Sequence, residues 1–335
     1  MRSAPTLRDV AQAAGVSTST ASRVLNGATN VAADLAERVR RAADALGYSA
    51  DVLARAMRGR QDSIALLASD VSTEAVREFA TAMELAALQI GAVSTVSAAG
   101  GHPFDQLEAL RVLRSMRPRA LIVTGRWVSA PEIAAPLAEE LDDFRDDGGR
   151  AVIIGRPLPG YSSIGFDDRG VGRDLGRHMG ARAGAESAVI LTGDPAHHAF
   201  RDRARGFVEG LGDRGIRDIR FVPSTVSREA GSEALVSALE HGVPDLVLGG
   251  NDWLALGALE ALEARGIGVP DDVSVSGVDD IPVSRDVTPS LTTAALPFAE
   301  AGAEAVRLAV QESHVPVRLL LPGRLVIRAS SRSSS

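Results

Sequence analysis

The apolar positions of the first fifty residues recur at helical spacing. Leu7, Val10, Ala11 and Ala14 fall at i, i+3, i+4 and i+7, one face of a helix. Gly15 ends it, because glycine accepts the left-handed turn that other residues resist. Ser17 can cap a second helix whose inward positions are Ala21, Val24 and Leu25. After the polar loop GATN, a third helix is expected from about Ala33 to Leu46. Its buried stripe is Leu35, Val39, Ala42, Ala43 and Leu46, and Gly47 stops it. Residues 49–61, SADVLARAMRGRQ, have helical propensity but little apolar content and read as a linker. From Ser63 the pattern changes to short apolar runs alternating with longer amphipathic segments. Strands are expected at 63–69, 120–125, 151–155, 187–193, 245–251 and 273–279. Helices are expected at 74–89, 103–115, 169–183, 197–212, 227–241 and 252–265. This alternation predicts parallel sheets covered on both faces, and two such sheets make two lobes.

Two short helices joined by a glycine turn form a helix-turn-helix unit, whose second helix enters the DNA major groove. The outward face of that helix carries Thr18, Ser19, Ser22 and Arg23, small hydroxyls that fit a groove floor and one guanidinium able to grip a guanine edge. The plainer alternative is an amphipathic hairpin in some all-α domain. Charge weighs toward DNA. The chain of 335 residues carries −7 overall, yet residues 1–60 hold nine arginines against five acids, which leaves −11 for the remainder. A basic module on an acidic body fits nucleic-acid binding through one end only. Every basic residue is arginine, which reads as codon bias in a GC-rich genome. With no cysteine, disulfides, thiol catalysis and cysteine zinc sites are excluded. No apolar signal segment follows Arg2 and no window resembles a membrane span, so a cytoplasmic protein without a membrane partner is expected.

The runs TLRDVAQAAGVSTSTASRVLNG, ERVRRAADALGY and ARAMRGR resemble the headpiece of the LacI family of bacterial repressors, with the turn, third helix and hinge at that family's spacing. The resemblance implies a homodimeric, ligand-controlled transcription factor on a pseudo-palindromic operator. It implies DNA contacts from Thr6, Thr18, Ser19, Ser22, Arg23 and Asn26, and from a hinge helix containing Arg55, Met57 and Arg58. Met57 stands where the family has a leucine that wedges into a minor-groove step, the device of architectural proteins. Ala50-Asp51 replaces the family's usual Pro-Asn start of the hinge; Asp51 can still cap a helix. The implied domains are a headpiece at 1–48, a hinge at 49–61 and a two-lobed periplasmic-binding-protein-like α/β core at 62–330. The N-lobe is expected at about 62–161 and 293–322 and the C-lobe at about 162–291 and 323–330. Crossings then fall near Ser162, Leu291 and Gly323, and 331–335 is expected to be a disordered tail.

Ligands of parallel α/β sheets bind at the carboxyl ends of the strands. Standing there are Ser69 and Asp70, Arg126 and Trp127, Asp167 and Asp168, Asn251 and Asp252, and Asp279 and Asp280. Carboxylates and amides suit a polyhydroxylated ligand, and Trp127 offers a flat wall. The resemblance narrows the effector set to Asp167 in FDDRGVG, Arg203 in RARGF, Asn251 in NDWLALG and Asp279 in GVDD, beside Ser69, Asp70, Arg126 and Trp127. Asp252 is expected only to cap a helix, Trp253 to pack, and His197-His198 to form a loop pair. There is no G-x-S-x-G elbow, Walker loop or H-E-x-x-H, so no enzyme, cofactor or metal is expected. A sugar-like inducer is preferred, because acids and amides outnumber aromatics at the strand ends. A nucleobase corepressor is the alternative, ahead of a transport receptor or an α/β enzyme.

Overall fold

The computed structural model describes residues 5–25, 31–46, 63–68, 73–98, 103–124, 131–195, 197–313 and 315–332. The chain divides into two compact units, Met1–Asp62 and Ser63–Ser335. In the first unit, three helices, α1 (Leu7–Ala14), α2 (Thr18–Leu25) and α3 (Ala33–Leu46), enclose a small core of Val10, Ala11, Ala14, Ala21, Val24, Val39 and Ala43. Thr6 and Asp9 form a capping box at the start of α1: the Asp9 N–H donates to Thr6 Oγ1 at 3.4 Å and the Thr6 N–H to Asp9 Oδ2 at 2.7 Å. Gly15 turns the chain at φ 64°. Ser17 caps α2, its hydroxyl accepting from the Thr20 N–H at 3.1 Å. Arg38 of α3 donates to the Ala14 carbonyl at 2.6 Å, a cation at the C-terminus of α1. Leu46, expected in the buried stripe of α3, is exposed in its last turn.

The second unit holds two parallel sheets. The larger has strand order β11-β5-β4-β3-β1-β2, where β1 is Ser63–Ala68, β2 Val93–Ala98, β3 Ala120–Thr124, β4 Arg150–Ile154, β5 Ser162–Phe166 and β11 Arg318–Leu321. The smaller has order β7-β6-β8-β9, with β6 Ser187–Thr192, β7 Asp218–Pro223, β8 Leu246–Gly249 and β9 Ser274–Ser276. Each sheet is buried between helices, its central strands reading as continuous apolar runs. β10 (Thr293–Ala295) and β12 (Arg324–Val326) form an antiparallel ribbon on the paths between lobes. Among the described residues no helix is long and apolar enough to cross a membrane.

Two boundaries differ from expectation. Ser162 opens β5, which pairs with β4 and β11 in the N-lobe sheet, so the first crossing comes after Phe166 rather than at Ser162. The sequence SSIGF, with a glycine and two serines, lacks the apolar run that marks the other strands. The end of the chain is also not a tail at residues 331 and 332. Ser331 is buried and bonds to Thr292 Oγ1 at 2.7 Å and His178 Nε2 at 2.8 Å, and Arg332 pairs with Asp271. Serines this small read as tail only when their buried partners are not in view.

Candidate functional site

A cavity of about 1310 Å³ lies between the two lobes of the second unit. Its C-lobe wall begins with a helix pair. The parallel helices Asp168–Met179 and His198–Gly212 approach until backbone touches backbone: Gly172 and Gly176 face the carbonyls of Arg203 and Phe207, and Gly206 and Gly210 face those of Arg169 and Arg173. A Cβ at any of the four would overlap main-chain atoms. Two ion pairs flank the seam, Arg169–Glu209 at 2.9 Å and Arg177–Asp213 at 2.7 Å.

This close approach sets Arg203 against Asp168. Arg203 is only 6% exposed; its Nε donates to Asp168 Oδ1 at 2.8 Å and Nη1 to the Gly250 carbonyl at 2.8 Å. Nη2 stands 3.3 Å from Asp279 Oδ1, near enough for an ion pair but misaligned, so that buried oxygen has no hydrogen bond among the described residues. The Arg203 guanidinium also lies 5.6 Å from the centre of the Phe200 ring. Burial pushes the Asp279 carboxyl up to about 6, against the pull of Arg203 and with help from Asp168. Burial, then the Asp279 charge, pushes Asp252 up to about 7. Two acids and one base share the cavity floor, with a third acid behind them.

At two strand-to-helix junctions the structure assigns neighbouring residues roles that differ from those expected. Asp167, expected to face the effector, is the N-cap of its helix and accepts from the Gly170 N–H at 2.9 Å. Asp168, the next residue, lines the cavity. Asn251 lines the cavity but also caps, accepting from the Leu254 N–H at 3.1 Å. Asp252, expected to cap, is fully buried and gathers the Ile281 N–H, the Ser284 hydroxyl and the Thr293 hydroxyl at 2.9, 2.8 and 2.6 Å. In both cases the first residue of the pair caps the helix and the second turns inward.

The structure thus brings Arg203, Asn251 and Asp279 to one cavity and adds Asp168 to them. Ser69, Asp70, Arg126 and Trp127 lie outside the described residues. Trp253, expected to pack, lines the cavity and is 37% exposed. His197 and His198, expected in a loop, stand at the start of the His198–Gly212 helix with rings stacked at 5.2 Å, and line it too. Among the described residues no cluster of three or more His, Asp or Glu could hold a metal ion. The opposite, N-lobe wall has an apolar stretch of Val76, Phe79, Ile154, Phe166, Phe298 and Leu319, bordered by polar residues that include Glu74, Thr124, Arg156 and Arg318, with Phe166 edge-on to Phe298 at 5.1 Å.

In the first unit, α2 buries Ala21 and Val24 and presents Thr18, Ser19 and Arg23 to solvent, with Ser22 partly covered. Ser19 Oγ shares a 2.8 Å hydrogen bond with Ser17 Oγ. The Thr6 hydroxyl, expected to contact DNA, donates to Asp9 Oδ2 at 2.7 Å in the cap of α1. Asn26, Arg55, Met57 and Arg58 lie outside the described residues.

Comparison with known proteins adds independent findings. Residues 6–51 match the family described as bacterial regulatory proteins, lacI family, and residues 178–331 match a periplasmic binding protein-like domain. The regulator GalS of Salmonella typhimurium is 32% identical over 91% of this chain and 89% of its own length. The Lac repressor dimer bound to operator and the anti-inducer ONPF superposes with a TM-score of 0.85 at 28% identity, over 98% of this chain and 99% of that one. A complex of the regulator CelR with cellobiose gives 0.70 at 27% identity, over 98% and 100%.

Proposed function

The chain belongs to the LacI family of DNA-binding transcriptional regulators, which are not enzymes, and from that premise we propose that it represses carbohydrate-use genes until a sugar-like effector enters the interlobe cavity. The observation that carries the effector reading is Asp279 Oδ1, a buried carboxylate oxygen in the cavity wall without a hydrogen bond among the described residues. Such an atom costs free energy until a donor reaches it, and a ligand hydroxyl is a donor of the right kind. Arg203 is held in place by Asp168 and Gly250, so it meets the ligand without first having to be ordered.

DNA binding falls to α2. Arg23 is exposed and has no carboxylate partner among the described residues, as a guanine-reading side chain requires. A pseudo-palindromic operator needs two copies, and the N-lobe supplies a face for the second. Leu85, Leu88, Ile90, Val93 and Val96 are exposed together on the end of the Glu74–Gln89 helix and on β2, an edge strand. That helix carries Val76 and Phe79 in the cavity and Leu85 and Leu88 on this face. A shift of the helix on ligand binding therefore reaches the dimer face and, through it, the spacing of the two DNA-binding units.

Five aromatic side chains (Phe79, Phe166, Phe200, Trp253 and Phe298) line the cavity, which favours a flat ligand as the second reading: a nucleobase acting as corepressor. Operator affinity measured with a panel of sugars, sugar phosphates and nucleobases separates the two. Under the first reading a sugar weakens operator binding by the parent and leaves binding by the Asp279→Asn variant unchanged. A nucleobase that tightens operator binding supports the second, and chemical conversion of any panel member would overturn both.

A further inference from the structure

The cavity is lined by arginines and acids in equal number, and the arginines differ in how they are paired. Of the guanidiniums that line it, Arg203 is shared by Asp168 and Asp279, Arg205 is paired with Asp202 at 3.4 Å, and Arg228 with Glu260 at 2.7 Å. Arg156, Arg201 and Arg318 have no carboxylate partner among the described residues, and two of these, Arg156 and Arg201, bear on one corner of the cavity. They come from opposite lobes, Arg156 from the turn after β4 and Arg201 from the first turn of the His198–Gly212 helix. Both nevertheless act on one ring: burial holds the His198 pKa below its ordinary value, the charges of Asp168 and Asp202 oppose that shift, and those of Arg156 and Arg201 reinforce it. The His198 Nδ1 atom is itself buried without a hydrogen-bond partner among the described residues. The 15-residue helix that begins there has no side-chain cap, so its positive end also faces this corner.

Two guanidiniums without carboxylate partners, one from each lobe, and a helix start without a side-chain cap therefore line one cavity. We propose that the effector carries an anionic group, a phosphate ester or a carboxylate, and that it seats between Arg156 and Arg201 at the start of the His198–Gly212 helix while its hydroxyls engage Asp279 and Asn251. This rests on the cavity being the effector site. It also assigns the anion a mechanical part. Empty, the two cations repel and favour an open cleft; an anion between them attracts both and draws the lobes together, a bidentate guanidinium contact from each side being among the stronger polar interactions.

The test uses the full chain with inorganic phosphate, glucose, glucose 6-phosphate and glucuronate as probes, against chloride at matched ionic strength. Thermal melts of the core and operator affinity are read for the parent and for Arg156→Gln and Arg201→Gln. Both positions are exposed, so the variants keep the fold. The expected result is that inorganic phosphate raises the parent's melting midpoint and that each variant loses most of that rise. Glucose 6-phosphate or glucuronate should act at concentrations at least tenfold below those of glucose, and whichever is stronger tells ester from acid. A parent that responds to none of the anions, or variants that respond as the parent does, overturns the anion site. Should glucose act equally on the parent and both variants but not on Asp279→Asn, the anion site falls while the effector cavity stands. Loss of every response, neutral sugars included, removes both.

Discussion

Replacing Asp279 by asparagine should make this protein more stable at neutral pH and less able to respond. The carboxyl is buried and its pKa is raised from 3.8 to about 6, a balance that already includes the attraction of Arg203. Each pKa unit is worth about 1.4 kcal/mol, so keeping the group ionised costs the ligand-free fold on the order of 3 kcal/mol. The sign follows from proton counts. Between about pH 4 and pH 6 the folded chain binds more protons at this position than the unfolded one, so stability falls as pH rises through that window and levels off above it. Asp252 extends the fall toward pH 7, and part of its own shift comes from Asp279. Asparagine keeps an oxygen to face Arg203, carries no charge, and has nearly the size and shape of the aspartate it replaces at this backbone position, φ 116°. Thermal melts of the full chain between pH 5 and pH 8.5, following the core transition, should show parent and Asp279→Asn converging at the acid end. At pH 7.5 the variant should melt several degrees higher. A variant with the parent's pH slope, or one less stable at pH 7.5, would refute the account of Asp279 as a group kept ionised at a cost.

Three further outcomes follow from the same geometry. Arg203→Ala removes the base from between Asp168 and Asp279 and leaves the Gly250 carbonyl without its donor, so it should destabilise the core by about 3–5 kcal/mol in urea unfolding; a change below 1 kcal/mol would show the cluster to be solvated. Gly206→Ala forces a Cβ into the Arg169 carbonyl and the Arg173 N–H; an overpacking cost of about 1–3 kcal/mol is expected, with effector binding lost before operator binding, and an unchanged melt would mean that the helices can part freely. Arg23→Ala should weaken operator binding by about 1–3 kcal/mol without altering the core's response to ligand, and an equal loss on random DNA in the same titration would make it a phosphate contact only.

How much of this was legible in the sequence depends on how each element is buried. β1, β3, β4, β6 and β8 announce themselves as apolar runs, whereas β9 (SVS) is buried but alternates serine with valine. β2 (VSTVSA) and β7 (DIRFVP) are edge strands with mixed exposure, β5 has only Ile and Phe to mark it, and none was expected from pattern. The Asp167-Asp168 and Asn251-Asp252 pairs show a finer limit. A strand-end acid can cap or turn inward, and adjacent acids cannot be told apart by type; the available signal was Gly170, three residues after Asp167 and tight enough against that carboxylate to exclude a side chain. The aromatic lining was invisible for another reason. Phe79, Phe200 and Phe298 come from helices and not from the strand ends where ligand residues are expected, and Trp253, also on a helix, was expected to pack.

The glycine seam between the Asp168–Met179 and His198–Gly212 helices has a consequence for how such a regulator can change its ligand over time. Four positions there admit no side chain, and the spacing they impose holds Asp168, Arg203 and the Gly250 carbonyl in one arrangement. That half of the cavity behaves as a fixed socket: almost any alteration in it costs folding. The facing half, built from Val76, Phe79, Ile154, Phe166 and Phe298, carries no comparable interlock of polar bonds, and apolar exchanges of similar volume are tolerated in such walls. New selectivity is therefore cheapest to acquire on the N-lobe side, one side chain at a time, with the socket gripping a common polar motif while the opposite wall is retailored around the rest of the molecule.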